Sequence, residues 1–112
     1  MAYVILFFVL YFPFAIEIQA EEVQVQVFLM GAGMSSCGKW TESKSIPQLH
    51  YQVKQWVLGF ISGSNWARDE IQVTPPDEQA VVAFVDKYCK NNPLQRVSSA
   101  AAILIESLQH KR

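Results

Sequence analysis

The sequence predicts an all-α fold: a small orthogonal bundle of about four helices, stapled by one disulfide and preceded by an N-terminal signal peptide. Three observations carry that expectation. Apolar residues recur at three- and four-residue spacing in three separate stretches of the second half of the chain. Proline and asparagine punctuate those stretches where helices start and stop. The two cysteines, Cys37 and Cys89, fall on or beside the helical stretches.

The chain divides into residues 1–20, a leader; 21–35, an arm and turn; and 36–112, the helical domain. Ala2 to Ile16 is apolar except for Pro13 and stops at Glu17. A membrane span needs about 20 apolar residues, and this run is shorter. Ile18-Gln19-Ala20 before Glu21 offers a small residue for cleavage, so a secretory signal is expected. No Lys or Arg precedes the run, and an uncleaved membrane anchor is the competing reading. Either way the rest of the chain should lie outside the cytoplasm.

From Glu22 to Leu29, Val23, Val25, Val27 and Leu29 alternate with Gln24, Gln26 and Phe28. That period of two suggests a short strand, an extended arm on the helices, or part of the next helix. Gly31 to Ser36 reads as a turn, and Ser36 can cap a short helix from Cys37 to about Ser43. Ser45-Ile46-Pro47-Gln48 opens the longest helix: Ser45 as cap, proline in the first turn, Gln48 reaching back. Leu49, Val53, Trp56, Val57, Phe60 and Ile61 make its apolar stripe. Gly63 is expected to end it in a left-handed position. Gly59 and Gly63, one turn apart, are expected to admit close packing of another element.

Trp66 to Val73 reads as a loop. Thr74-Pro75-Pro76-Asp77 opens the third helix, with Thr74 as cap, and its stripe is Val81, Phe84, Val85 and Tyr88 beside Cys89. Asn92 caps the last helix ahead of Pro93. Val97, Ala100, Ala101, Leu104, Ile105 and Leu108 form its stripe, and His110, Lys111 and Arg112 suit its C-terminal dipole.

Nine basic and ten acidic residues give a net charge of −1. One of the acids, Glu17, belongs to the leader, so the mature chain is near neutral. No basic surplus or single-sign tail points to nucleic acid or a charged partner. Two cysteines in an exported chain favour a disulfide, for which the chain-entropy model gives about 4 kcal/mol across so long a loop. A metal site or a catalytic thiol would instead need a partner, and His50 and His110 are the only histidines.

A cysteine opening a short helix, a helix ending in Gly59-Phe60-Ile61-Ser62-Gly63, and Tyr88-Cys89-Lys90-Asn91-Asn92-Pro93 before an alanine-rich helix form a pattern. Over residues 36 to 109 it resembles the HdeA-like group of small periplasmic helical proteins. It also resembles the related Rap/Tai immunity proteins. Those commonly carry a Gly-Tyr-x-x-Gly run and a terminal cysteine; here Phe60 holds the aromatic place and the terminal cysteine is missing. The resemblance implies a fold and a compartment more than an activity.

Among the tryptophans, Trp56 lies on a stripe and reads as core. Trp66, beside Asn65 and Arg68, reads as the interface candidate. Asp69-Glu70 and Asp77-Glu78 are neighbours that diverge in direction, so solvated charge suits them better than acid–base work. No nucleophile–base–orienter set assembles from spacing, and no enzyme, cofactor or metal is expected. The expected function is that of an exported, periplasmic protein-binding module of the immunity type, covering a partner effector by surface contact. The alternatives are an acid-stress chaperone that exposes apolar surface to unfolded clients at low pH, and a structural or envelope factor with no particular partner. The expected partner is a protein, with a homodimer as a further arrangement and membrane contact only through an uncleaved leader.

Overall fold

A computed structural model describes residues 27–109; residues 1–26, which hold the expected leader and the first part of the expected arm, and residues 110–112 lie outside them. A 3-10 turn, Ala32–Met34, precedes four helices: α1 Cys37–Ser43, α2 Pro47–Ala67, α3 Glu78–Asn91 and α4 Val97–Gln109. No strand forms among the described residues. Residues 27–30 are irregular, so the part of the alternating stretch that is described is an arm. A carbonyl of that arm, Met30 O, accepts from Trp56 Nε1 at 2.7 Å.

The helices meet around one core. Val53, Val57 and Ile61 of α2, Val81 and Val85 of α3, and Val97, Ala100, Ala101, Leu104 and Ile105 of α4 are buried together with Trp40. These are the inward positions of the predicted stripes, because burial follows helical period. α3 packs most extensively against α4 and α1, while α2 packs against α1, α4 and the 3-10 turn. At the centre Cys37 and Cys89 form a disulfide, with Cα atoms 4.8 Å apart across a separation of 52 residues. Both cysteines are buried.

A second non-local tie lies beside the disulfide. Cys37 N donates to Gln95 O at 2.7 Å, and Val97 N donates to Ser35 O at 2.9 Å. The segments entering α1 and α4 thus pair antiparallel at Ser36 and Arg96. Ser36 caps α1 as expected, its hydroxyl accepting from Lys39 N.

Three other caps differ from the sequence reading. Ser45 donates to Glu42 O, closing α1 instead of opening α2, and Ile46 takes the cap position with no side-chain bond. Thr74 does not cap α3; Asp77 does, accepting from Ala80 N at 2.7 Å. Thr74 and Pro75 each precede a proline and are disfavoured in the α region, so the helix begins only after Pro76. Asn92 closes α3 by donating to Tyr88 O, and α4 waits until Val97 because Arg96 is engaged in the antiparallel pairing.

The glycines are also redistributed. Gly63 does not end α2, which continues to Ala67 with no positive φ at Gly63. Nor do Gly59 and Gly63 admit a neighbour: both face solvent, and a Cβ built on either meets nothing within 4 Å. Close packing occurs instead at the 3-10 turn. Gly31 has φ 98°, and a Cβ on Gly33 would fall inside the Trp56 ring. The turn needs glycine there because the Trp56 indole occupies the space a Cβ would take.

Two outcomes follow. Replacing both cysteines with alanine lowers unfolding free energy by about 4 kcal/mol, read by denaturant titration against the oxidised chain. Gly59→Ala raises stability by roughly 0.5–1 kcal/mol, since it lies mid-helix with open space, whereas Gly33→Ala lowers it by about 1–3 kcal/mol; thermal melts of the two variants should move in opposite directions.

Candidate functional site

The C-terminal end of α2 carries the residues the sequence singled out. The phase that turns Val53, Val57 and Ile61 inward turns Gly59, Ser62, Gly63 and Trp66 outward. Trp66 is 88% exposed, among the most exposed large apolar side chains described. Arg68, the residue that ends α2, is exposed as well, followed by exposed Asp69 and Glu70.

Asn65, expected as a contact residue, is bonded within the chain. Its Nδ2 donates to Val73 O at 2.8 Å, and its Oδ1 accepts from Val73 N at 3.0 Å. Both ends of the amide are therefore engaged within the chain. Gln72 Nε2 adds bonds to Asn65 O and Arg68 O. These contacts fold residues 68–73 back onto the helix and seat Val73 in the core. Trp66 and Arg68 thus stand on a preformed corner, and Asn65 is the clamp beneath it.

A second cluster, which spacing alone did not assemble, lies where α1, α2 and α3 meet. Trp40 is buried and donates through Nε1 to Asp86 Oδ1 at 2.6 Å. Asp86 Oδ2 pairs with Lys44 Nζ at 3.0 Å. The His50 ring meets the edge of Trp40, with centroids 5.1 Å apart. Buried Ser43 donates to Trp40 O at 2.6 Å and lies 3.3 Å from His50 Nδ1. A hydroxyl has one proton, and Ser43 has given it to a carbonyl. It must accept from His50, which fixes the proton on Nδ1.

Serine, histidine and aspartate are gathered here, but not as a nucleophilic set. Ser43 is fully buried with its proton committed elsewhere, and Asp86 binds Trp40 and Lys44 instead of orienting the imidazole. The cluster fastens three helices. The one signal for it in the sequence is weak: Ser43 and His50 stand seven residues apart across the α1–α2 corner. Among the described residues no group of three His, Cys, Asp or Glu side chains could hold a metal ion. No described helix is long and apolar enough to cross a membrane.

No protein-family model, curated protein or solved structure matches this chain.

Burial pushes the His50 pKa below its ordinary 6.5; Lys44 and Lys54 push it the same way and Asp86 opposes them. Folding therefore favours the neutral ring. That contribution is full above the ordinary value and is lost as pH falls through the lowered one. Between about pH 7.5 and pH 5, a His50→Gln variant should lose less stability than the parent; parallel losses in denaturant titrations at the two pH values would remove His50 as the cause.

Proposed function

We propose that this chain is an exported, periplasmic protein-binding module that acts as immunity proteins do, covering a partner effector with a preformed helical surface. The observation that carries the reading is Trp66: an indole 88% exposed at a helix end whose loop is clamped by Asn65. Exposed tryptophan beside arginine is the composition of binding hot spots, and a rigid corner reduces the ordering entropy of association. The disulfide fits an oxidising compartment outside the cytoplasm. The sequence resemblance to the HdeA-like and Rap/Tai proteins points the same way.

A second reading, an acid-stress chaperone, is favoured by a different observation. Both ion pairs among the described residues use carboxylates of α3: Asp86 to Lys44 and Glu78 to Lys54 at 2.7 Å. On this reading, loss of both pairs would free α3 from α1 and α2 and expose apolar surface while the disulfide keeps the chain together.

The two readings separate by pH. The first expects one stoichiometric protein partner retained by the oxidised chain at neutral pH. Trp66→Ala should weaken that complex by about 2 kcal/mol, roughly thirtyfold in Kd by calorimetry, with an unchanged melting temperature. A complex indifferent to Trp66→Ala sinks the assignment of the surface. Protection of an aggregating client at about pH 2–3 with no partner at pH 7 favours the chaperone.

A further inference from the structure

We propose that the junction of α1, α3 and α4 carries a docking face for an anionic phospholipid surface. It lies at the other end of α4 from the Trp66 corner: Arg68 lines a cavity with Glu106 and Gln109, whereas this face begins at Arg96, before α4. The inference holds whether or not Trp66 meets a partner. A near-neutral net charge hides a separation along the chain. From Asp69 to Asp86 the acids are Asp69, Glu70, Asp77, Glu78 and Asp86, with no Lys or Arg. From Lys87 to Ile105 the charges are Lys87, Lys90 and Arg96, with no acid.

The fold gathers the cations and adds Lys39. Lys90 follows Cys89, which is bonded to Cys37. Lys39 stands two residues past Cys37, and Arg96 pairs with Ser36, the residue before it. Lys87 and Asn92 share the wall of a cavity of about 260 Å³, which brings Lys87 alongside the turn into α4. All four cations are exposed, and among the described residues none of them is in an ion pair. The carboxylates of α3 are drawn away from them: Asp86 holds Trp40 and Lys44, and Glu78 holds Lys54. Exposed Glu42 of α1 is one acid against four cations.

An apolar tip stands among these charges. Leu94 is 94% exposed. It sits at the apex of a turn that Gln95 N closes on Asn92 O at 3.1 Å. Such positions usually take Gly, Asn, Asp or Ser, for polarity or backbone freedom, and leucine offers neither. Pro93 fixes the preceding φ, and Gln95 O accepts from Cys37 N at 2.7 Å, so the fold holds Leu94 outward. A leucine between cations suits a bilayer surface: the side chain enters the acyl boundary and the cations meet phosphates. Three of the four are lysines, point charges on flexible stems that suit a fluid array of headgroups. A protein partner is the weaker match, because lysine is depleted from protein interfaces. No described helix can cross a bilayer, so these residues meet it from outside.

The oxidised full chain is sedimented with vesicles of phosphatidylcholine and phosphatidylglycerol, or of phosphatidylcholine alone. It should pellet with the anionic vesicles at about 50 mM salt and be released at about 500 mM, where the screening length is roughly a third as long. Lys87→Gln with Lys90→Gln should weaken partitioning about 25-fold, roughly fivefold for each charge removed. Leu94→Ser should weaken it about tenfold, with an unchanged melting temperature. No pelleting with anionic vesicles, equal pelleting with neutral ones, or an affinity unmoved by the lysine pair overturns the proposal. Retention on immobilised polyglutamate that matches vesicle binding and ignores Leu94→Ser also overturns it, giving the face to an acidic protein. So does loss of vesicle binding through Trp66→Ala alone, which moves the contact to the other end. Lys39→Gln, with a loss of about fivefold, repeats the test should the lysine pair disturb the fold.

Discussion

A helix of seven residues makes too few internal hydrogen bonds to persist in water, since nucleation costs more than so short a run returns. α1 exists because its first residue is joined to the last turn of α3 through sulfur, and because the residues before it pair with those before α4. That junction sets the rest. It places Trp40 where its indole can reach Asp86, and Asp86 where it can hold Lys44. It also fixes the 3-10 turn over Trp56. One covalent bond and one short antiparallel contact hold the four helices about a common centre.

The stripes were legible in the sequence because burial of a helix repeats with its own period, and nothing outside the helix changes that. Val53, Val57 and Ile61, or Val97, Ala101 and Leu104, could be read in advance for this reason. Caps and glycines were less legible because their roles depend on neighbours. Ser45 lies between two helices and can serve either; only the path of α1 decides that it closes the first. Asn92 likewise donates back to Tyr88 O and not forward into α4. Gly59 and Gly63 have the spacing of a close crossing, yet the phase of α2 turns them to solvent. The glycine that does admit a neighbour, Gly33, sits in a turn with no pattern to announce it.

The surface at the end of α2 was half legible. Trp66 was read as the start of a loop, yet it lies in the last turn of α2, because the helix runs past Gly63 to Ala67 and turns the indole to solvent. The neighbour Asn65 carries the same sequence signal and has an internal duty, because a side-chain amide can imitate a strand partner for Val73. The cluster of Trp40, Ser43, His50 and Asp86 shows the opposite case. Its members span 46 residues, so no local pattern could gather them, and the junction of three helices does. Trp40 bonds Asp86 and Ser43 bonds Trp40 O beside His50, which fits a fastening.

The burial of both sulfurs carries a temporal consequence. A small-molecule reductant must touch sulfur in line with the bond it breaks, and in this fold it has no such approach while the helices stay together. Loss of the crosslink is then gated by the rate at which the chain opens, not by how reducing its surroundings are. Once matured, the protein keeps a memory of the compartment in which it was made, and that memory lasts as long as its kinetic barrier.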